Sequence, residues 1–304
     1  MSEKARLSVV LLTRNEESYI KACLESVEDI AAEIIILDES SEDKTVEIAR
    51  GFDANVFIVK HEDNFHINKQ KAIEKATGDW VLQLDADERV TRKLASEIIT
   101  VINSNNRSLL KRVLRHPERM KKVEGFPDDK KLNLFAKHQK LIEQREGTLG
   151  NNTGDVAALF IPRVNYFLGK PLIHAGVYPD GVIRLFKNGK AKLPARSVHE
   201  LMEVDGQVGW LFNDLEHHES PTLRRYIERM NRYTDLHAEE LKQKNTPRNY
   251  LYLFKYSCLV PTAYFLKLYF RHKGFLDGKR GFLWSALSSL HFPIAYFKYW
   301  QLKN

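Results

Sequence analysis

The sequence predicts an α/β fold with a mostly parallel central sheet flanked by helices. Three observations carry that prediction. Short continuous apolar runs alternate with helical patterns through the first hundred residues, as βαβ units require. The runs lack polar alternation, as expected of strands buried on both faces. Three of them stop at polar clusters, Thr13 to Glu16, Asp38 to Ser41 and Asp85 to Glu88. A parallel sheet gathers such clusters at its carboxyl edge, where ligands bind in open α/β sheets.

Leu7 to Leu12 is the first apolar run, and Thr13-Arg14-Asn15-Glu16-Glu17 ends it. Ile20, Cys23, Leu24 and Val27 follow at helical spacing. Glu33 to Asp38 is the second strand, and Val46, Ile48 and Ala49 mark the next helix. Asn55 to Val59 is the third strand, Ile67 to Ala76 a helix ended by Thr77-Gly78, and Trp80 to Leu84 the fourth strand. Asp85, Asp87 and Glu88 then place three acids in four positions. Carboxylates this close repel one another unless a cation sits between them, and hard oxygen ligands suit Mg²⁺ or Mn²⁺. A solvated acidic turn would show the same letters.

Length and composition allow one large domain or a domain with an appendage: 304 residues, 43% hydrophobic. Two cysteines, Cys23 and Cys258, cannot build a disulfide framework, so a reducing compartment is expected. The start leads straight into a strand without the apolar core of a secretion signal. The formal charge of +7 is unevenly spread. From Leu241 onward eleven Lys and Arg face Asp277 alone, a net of +10, which leaves −3 for the remainder. The same tail holds 16 of the 32 Phe, Trp and Tyr residues. A basic, aromatic tail on a mildly acidic body points to a membrane surface or an anionic partner. Nothing in it points to nucleic acid.

The ordered motifs Leu-Ser-Val-Val-Leu-Leu-Thr-Arg-Asn-Glu, Ile-Ile-Ile-Leu-Asp-Glu-Ser-Ser-Glu-Asp-Lys-Thr and Ala-Thr-Gly-Asp-Trp-Val-Leu-Gln-Leu-Asp-Ala-Asp-Glu resemble family-2 glycosyltransferases of the GT-A fold, closest to their lipopolysaccharide-core glucosyltransferase-like branch. The resemblance spans roughly residues 5 to 100 and 155 to 300. It implies a nucleotide-sugar donor, a divalent metal, inversion at the anomeric carbon and a saccharide or lipid-linked acceptor. Thr13, Arg14 and Glu16 match the first donor-binding motif, and Asp38 the aspartate that contacts the base. Ser40 stands where the family favours glycine. Lys69 falls where an arginine usually approaches the base or phosphates. Asp85 and Asp87 match the Asp-x-Asp motif, Asp85 toward ribose or a metal-bound water and Asp87 on the metal.

A segment of about 103–152 has no counterpart and reads as a helical insertion, with Leu109 to Leu114 in one helix and Leu132 to Ile142 in another. Asp155 to Arg163 and Val182 to Phe186 resume strand character. Tyr178 and Asp180 are candidate acceptor contacts, although Pro179-Asp180-Gly181 is also ordinary turn chemistry. In Ser197-Val198-His199-Glu200, the resemblance favours Glu200 as the base that deprotonates the acceptor and His199 as a metal ligand or as the residue that orients Glu200 or the donor phosphates. Glu216-His217-His218-Glu219 offers His217 or His218 instead, and also reads as a helix entry.

Leu223 to Lys244 reads as a charged helix with Tyr226, Met230, Tyr233 and Leu236 on its apolar stripe. Tyr250 to Phe270 and Leu283 to Trp300 read as two aromatic helices lying in a membrane interface. The expected organisation is a catalytic domain over 1–220 and a helical, membrane-surface module over 221–304. The expected location is cytoplasmic, peripheral on the inner face of the cytoplasmic membrane. Two other classes share parts of the pattern: a metal-dependent nucleotidyltransferase, which lacks its Gly-rich phosphate loop here, and an inactive glycosyltransferase-like scaffold.

Overall fold

A computed structural model describes residues 4–114, 128–194 and 201–302. The chain divides into two compact units, Met1–Arg163 with Pro179–His217, and Val164–Tyr178 with His218–Asn304.

The strands are β1 (Leu7–Thr13), β2 (Glu33–Asp38), β3 (Asn55–Ile58), β4 (Trp80–Leu84), β5 (Glu88–Val90), β6 (Val156–Ile161), β7 (Arg163–Phe167), β8 (Lys170–Pro171), β9 (Val182–Lys187), β10 (Ala191–Lys192), β11 (Glu203–Val204), β12 (Gln207–Trp210) and β13 (Leu215–Ser220). The helices that matter below are α1 (Ile20–Glu25), α2 (Thr45–Arg50), α3 (Phe65–Ile73), α4 (Arg92–Ile102), α5 (Asn106–Leu109), α6 (Asp129–Glu146) and α7 (Leu223–Gln243), followed by a helical stretch over 250–271, here α8, and α9 (Gly278–Gln301).

The first unit is built on a seven-stranded sheet in the order β12-β6-β9-β4-β1-β2-β3. β3, β2, β1 and β4 run parallel, β9 runs antiparallel between β4 and β6, and β12 pairs parallel with β6. This is the mixed, mostly parallel α/β sheet flanked by helices that the apolar runs predict. Its core strands are apolar because both faces are covered: Val9, Leu11 and Ile36 are buried on one face, and Val10, Ile35 and Leu37 on the other. α1 and α4 supply Ile20, Leu24, Leu94 and Ile98 to the same core. Thr91 caps α4 by accepting the Leu94 N–H at 3.2 Å.

Several boundaries differ from expectation. Glu216 to Glu219 belongs to β13, not to a helix entry; its register places His217 opposite Glu88 of β5. α7 itself begins at Leu223, where the sequence predicts it, capped by Thr222. Within the expected insertion, Leu109 to Leu114 holds only the end of α5 and a 3₁₀ turn, whereas α6 runs past both ends of Leu132 to Ile142.

In the second unit, α7 buries Tyr226, Thr234, Ala238 and Leu241, while Tyr233 and Leu236 are exposed. The buried face therefore follows small residues, Thr234 and Ala238, that an apolar-stripe reading passes over. α7 packs against α9, where Tyr296 and Tyr299 join Ala238 and Leu241. Among the described residues, no helix is long and apolar enough to cross a membrane.

Candidate functional site

The carboxyl edge of the parallel strands is held by a buried acid. Thr13 and Asp38 are register partners at the ends of β1 and β2. Thr13 Oγ1 donates to Asp38 Oδ2 at 2.8 Å, Ser41 Oγ to the same oxygen at 2.6 Å, and the Ser41 N–H to Oδ1 at 2.7 Å. Asp38 is fully buried, so its carboxylate fixes the loop after β2 against β1. Ser40 takes φ 55°, the left-handed region that glycine enters freely. The loop thus keeps the glycine-like conformation although serine stands there. Asn15 sits at φ 56° opposite it and accepts the Glu42 N–H at 2.9 Å. Arg14 beside it is exposed, and the Glu16 N–H donates to Thr45 Oγ1 at 2.8 Å.

The next residue, Glu39, ties this loop to α3. Its Oε1 accepts from Asn68 Nδ2 at 2.7 Å, and its Oε2 lies 2.7 Å from His61 Nδ1. That contact orients the next side chain on α3. Lys69 Nζ donates to Asp85 Oδ1 at 2.5 Å and lies 5.0 Å above the Phe65 ring.

Asp85 stands at the end of β4 with both carboxylate oxygens held by cations. Arg184 Nη2 donates to its Oδ2 at 2.5 Å. The same nitrogen donates to Glu88 Oε1 at 2.9 Å, and Arg184 Nη1 donates to Gln83 Oε1. Glu88 is fully buried; its Oε1 also accepts from Arg163 Nη1 at 3.1 Å, and its Oε2 accepts the Asp85 N–H at 2.9 Å. Arg163 continues to Asp180 through Nε at 3.0 Å and Nη2 at 2.7 Å. Arg184 is skipped in the β6–β9 register, where Leu159 pairs Leu185 and Phe160 pairs Ile183. A bulge of this kind re-aims a side chain, here toward the acids. Burial alone would raise the Asp85 carboxyl; Arg184 and then Lys69 outweigh it and hold the group well below the usual carboxylate range. The guanidinium of Arg184 is pushed the other way, upward, against its own desolvation by Asp85 and Glu88.

Asp87 faces a different partner. Its Oδ1 lies 3.5 Å from His217 Nε2 on β13. Burial opposes ionisation of Asp87, and the hydrogen bond and charge of His217 overcome it, so the carboxyl is lowered. An octahedral Mg²⁺ or Mn²⁺ bonded at about 2.1 Å sets adjacent ligands about 3 Å apart. At 3.5 Å the Asp87–His217 spacing is somewhat wider than one such pair, and its chemistry, a hard oxygen and a borderline imidazole nitrogen, suits the ion. Among the described residues no set of three His, Cys, Asp or Glu side chains is grouped around one such point.

Residues 8–158 match the family model described as Glycosyl transferase family 2. The lipopolysaccharide core biosynthesis glycosyltransferase LpsC of Rhizobium meliloti is 26% identical over 303 residues, 95% of this chain and 92% of that protein. The chain belongs to glycosyltransferase family 2. An uncharacterized glycosyltransferase of Rickettsia typhi is 34% identical over 137 residues, so the matched part spans 45% of each. Among solved structures, glucosyl-3-phosphoglycerate synthase from Mycobacterium tuberculosis, in complex with Mn²⁺, uridine diphosphate and glucosyl-3-phosphoglycerate, overlaps 34% of this chain and 41% of its own at 23% identity and a TM-score of 0.30.

In this family-2 glycosyltransferase the sheet brings Thr13, Asp38, Lys69 and Asp85 to one edge, linked by the contacts above. Asp87 and Asp180 belong to the same unit, and Tyr178 to the second unit. His199 and Glu200 lie outside the described residues. Of the two later histidines, His217 reaches Asp87, while His218 stacks on Tyr166 with ring centroids 4.2 Å apart. Arg163 and Arg184 read in the sequence as strand residues, and Glu88 as one of three acids around a cation; its buried carboxylate instead meets Arg163, Arg184 and the Asp85 N–H. A signal was present: an arginine inside the apolar run Ile183-Arg184-Leu185-Phe186 must meet buried acids, since an unpaired buried charge is costly.

Proposed function

We propose that the chain transfers a sugar, with inversion, from a UDP-sugar to a hydroxyl of a saccharide or lipid-linked acceptor in cell-envelope glycan synthesis. One observation carries the reading: Asp87 Oδ1 and His217 Nε2 stand 3.5 Å apart, beside an Asp85 already neutralised by Lys69 and Arg184. Family membership and the LpsC likeness supply the reaction class and the envelope setting.

In this reading Asp87 and His217 would hold a divalent ion, with His199 a candidate third ligand. When bound, that ion supplies Lewis-acid neutralisation of the charge on the departing diphosphate. Asp85, its charge balanced, orients toward the donor ribose through its fixed position rather than competing for the ion. The Thr13–Asp38–Ser41 corner shapes the floor for the base. Arg14 and Glu16 stand at the same loop, Arg14 directed to the phosphates. Glu200 accepts the proton of the acceptor hydroxyl, which attacks the anomeric carbon from the face opposite the diphosphate. Asp180 and Tyr178 serve the acceptor side. The protein works at an anionic membrane surface on the cytoplasmic side, with its helical tail over 221–304 as the contact.

The test is UDP release from a panel of UDP-sugars with Mn²⁺ and a saccharide acceptor, repeated after chelation. Chelator-sensitive release with a glycosylated product of inverted configuration supports the reading. Metal-independent release, or none from any UDP-sugar, contradicts it.

A further inference from the structure

We propose that α8 lies flat on an anionic bilayer and that its π turns exist to keep one apolar stripe facing the lipid. This deepens the membrane-surface part of the proposed function and rests on that part for its choice of partner; it is independent of the sugar-transfer chemistry.

The stripe repeats every four residues. Leu251, Phe254, Leu259, Leu266 and Phe270 are all exposed, Leu251 at 72%. They belong to exposed pairs, 250/251, 254/255, 258/259, 262/263, 266/267 and 270/271, while the positions between them are buried or half-buried. In a regular α-helix a four-residue step overshoots one turn by about 40°, so five steps would carry the stripe about 200° around the axis. α8 is not regular. Two π segments, Lys255–Leu259 and Lys267–Arg271, interrupt it. Each π bulge adds about one residue, or about 100°, to its turn, and two of them offset the drift. The solvent-facing side of α8 is thereby a straight apolar strip.

Charge selects the occupant. Lys255, Lys267 and Arg271 stand on the strip itself. The sole acid from 241 to 304 is Asp277. It is occupied, accepting the His174 N–H at 2.7 Å with its other oxygen 2.9 Å from His174 Nδ1. A two-fold contact with a second copy would set this same basic face against itself, which like charges disfavour. Anionic headgroups complement it, and the lysine stems allow their ammonium groups to reach those headgroups while the apolar residues enter the boundary. α9 extends the surface: Leu283, Leu290 and Phe297 are exposed at seven-residue spacing, with Trp300 beyond. The two helices meet beside these stripes at Phe282, edge-on to the half-buried Phe265 and Tyr269.

The experiment floats the full chain with vesicles of phosphatidylglycerol and phosphatidylcholine, and with phosphatidylcholine alone. Leu251→Glu/Phe254→Glu is compared with Leu141→Glu, an exposed leucine of α6 in the first unit. We expect binding to the anionic vesicles, a loss of about tenfold or more for the double variant, and no loss for Leu141→Glu. Unaltered chain is measured in parallel with brominated phosphatidylglycerol, which should quench Trp300 fluorescence and lose that effect in Trp300→Phe. Binding that ignores the double variant and leaves Trp300 unquenched overturns the strip while sparing the membrane reading. No flotation with either vesicle overturns both. Loss of self-association in the double variant without vesicle binding makes a second copy the occupant and also overturns the proposal. A soluble saccharide acceptor reports sugar transfer separately in every arm.

Discussion

Arg184 Nη2 lies 2.5 Å from Asp85 Oδ2, and that one contact decides how the acids after β4 divide their work. With Lys69 on its other oxygen, Asp85 is a neutralised anchor. Asp87, two residues on, faces His217 instead. Two aspartates of one short motif thus stand beside different basic partners.

Removing the arginine tests the first setting. Arg184→Met leaves the fully buried Glu88 with Arg163 as its remaining cation and strips one partner from Asp85. Breaking a buried pair from one side costs about 3 kcal/mol or more. Denaturant unfolding should show that loss, and Arg184→Lys should recover part of it. A variant as stable as the parent would mean the cluster contributes little.

The depressed Asp85 carboxyl predicts a direction with pH. Its folded value lies below its unfolded value, so its ion pairs stabilise the fold at neutral pH and above the unfolded value of about 3.9. That contribution is lost as pH falls through the lowered folded value. The stability difference between the parent and Asp85→Asn should therefore be constant down to about pH 4 and shrink below it. A difference that grows on acidification would reverse the assignment.

Gly181 follows Asp180 and has no room for a side chain. An added Cβ would lie 2.4 Å from Trp210 Cη2. Trp210 is fully buried, stacked between Phe135 and Phe160 and bonded through Nε1 to Gln139 at 2.9 Å, so it cannot retreat. Gly181→Ala should cost about 2 kcal/mol by thermal or denaturant unfolding. Cost-free substitution would show that the loop moves instead.

Much of this was legible beforehand. The parallel strands were, because double burial leaves runs such as Leu7 to Leu12 without polar interruptions. The meeting of Thr13, Asp38 and Asp85 followed from strand direction alone. What stayed hidden was long-range pairing. Nothing local in Leu215 to Ser220 tells a helix entry from a strand; its pairing with β5, 125 positions earlier, makes it one and carries His217 to Asp87. The bulge that aims Arg184 is likewise a property of two strands rather than one. The π turns of α8 leave a four-residue exposure rhythm that a search at helical spacing blurs.

Glu200→Gln should keep UDP-sugar binding and lower kcat about a thousandfold, as loss of a general base does. Binding by titration calorimetry and turnover by UDP release separate the two. Near-normal turnover would place the base elsewhere.

The central claim is that Asp87 and His217 hold the ion that receives the diphosphate. Titration of UDP into the parent chain, Asp87→Ala and His217→Ala, each with Mn²⁺ and after EDTA, tests it most directly. The account predicts that Mn²⁺ tightens UDP binding to the parent and that either variant loses that gain by about tenfold or more. Mn²⁺-enhanced UDP binding of parental strength in Asp87→Ala would contradict it.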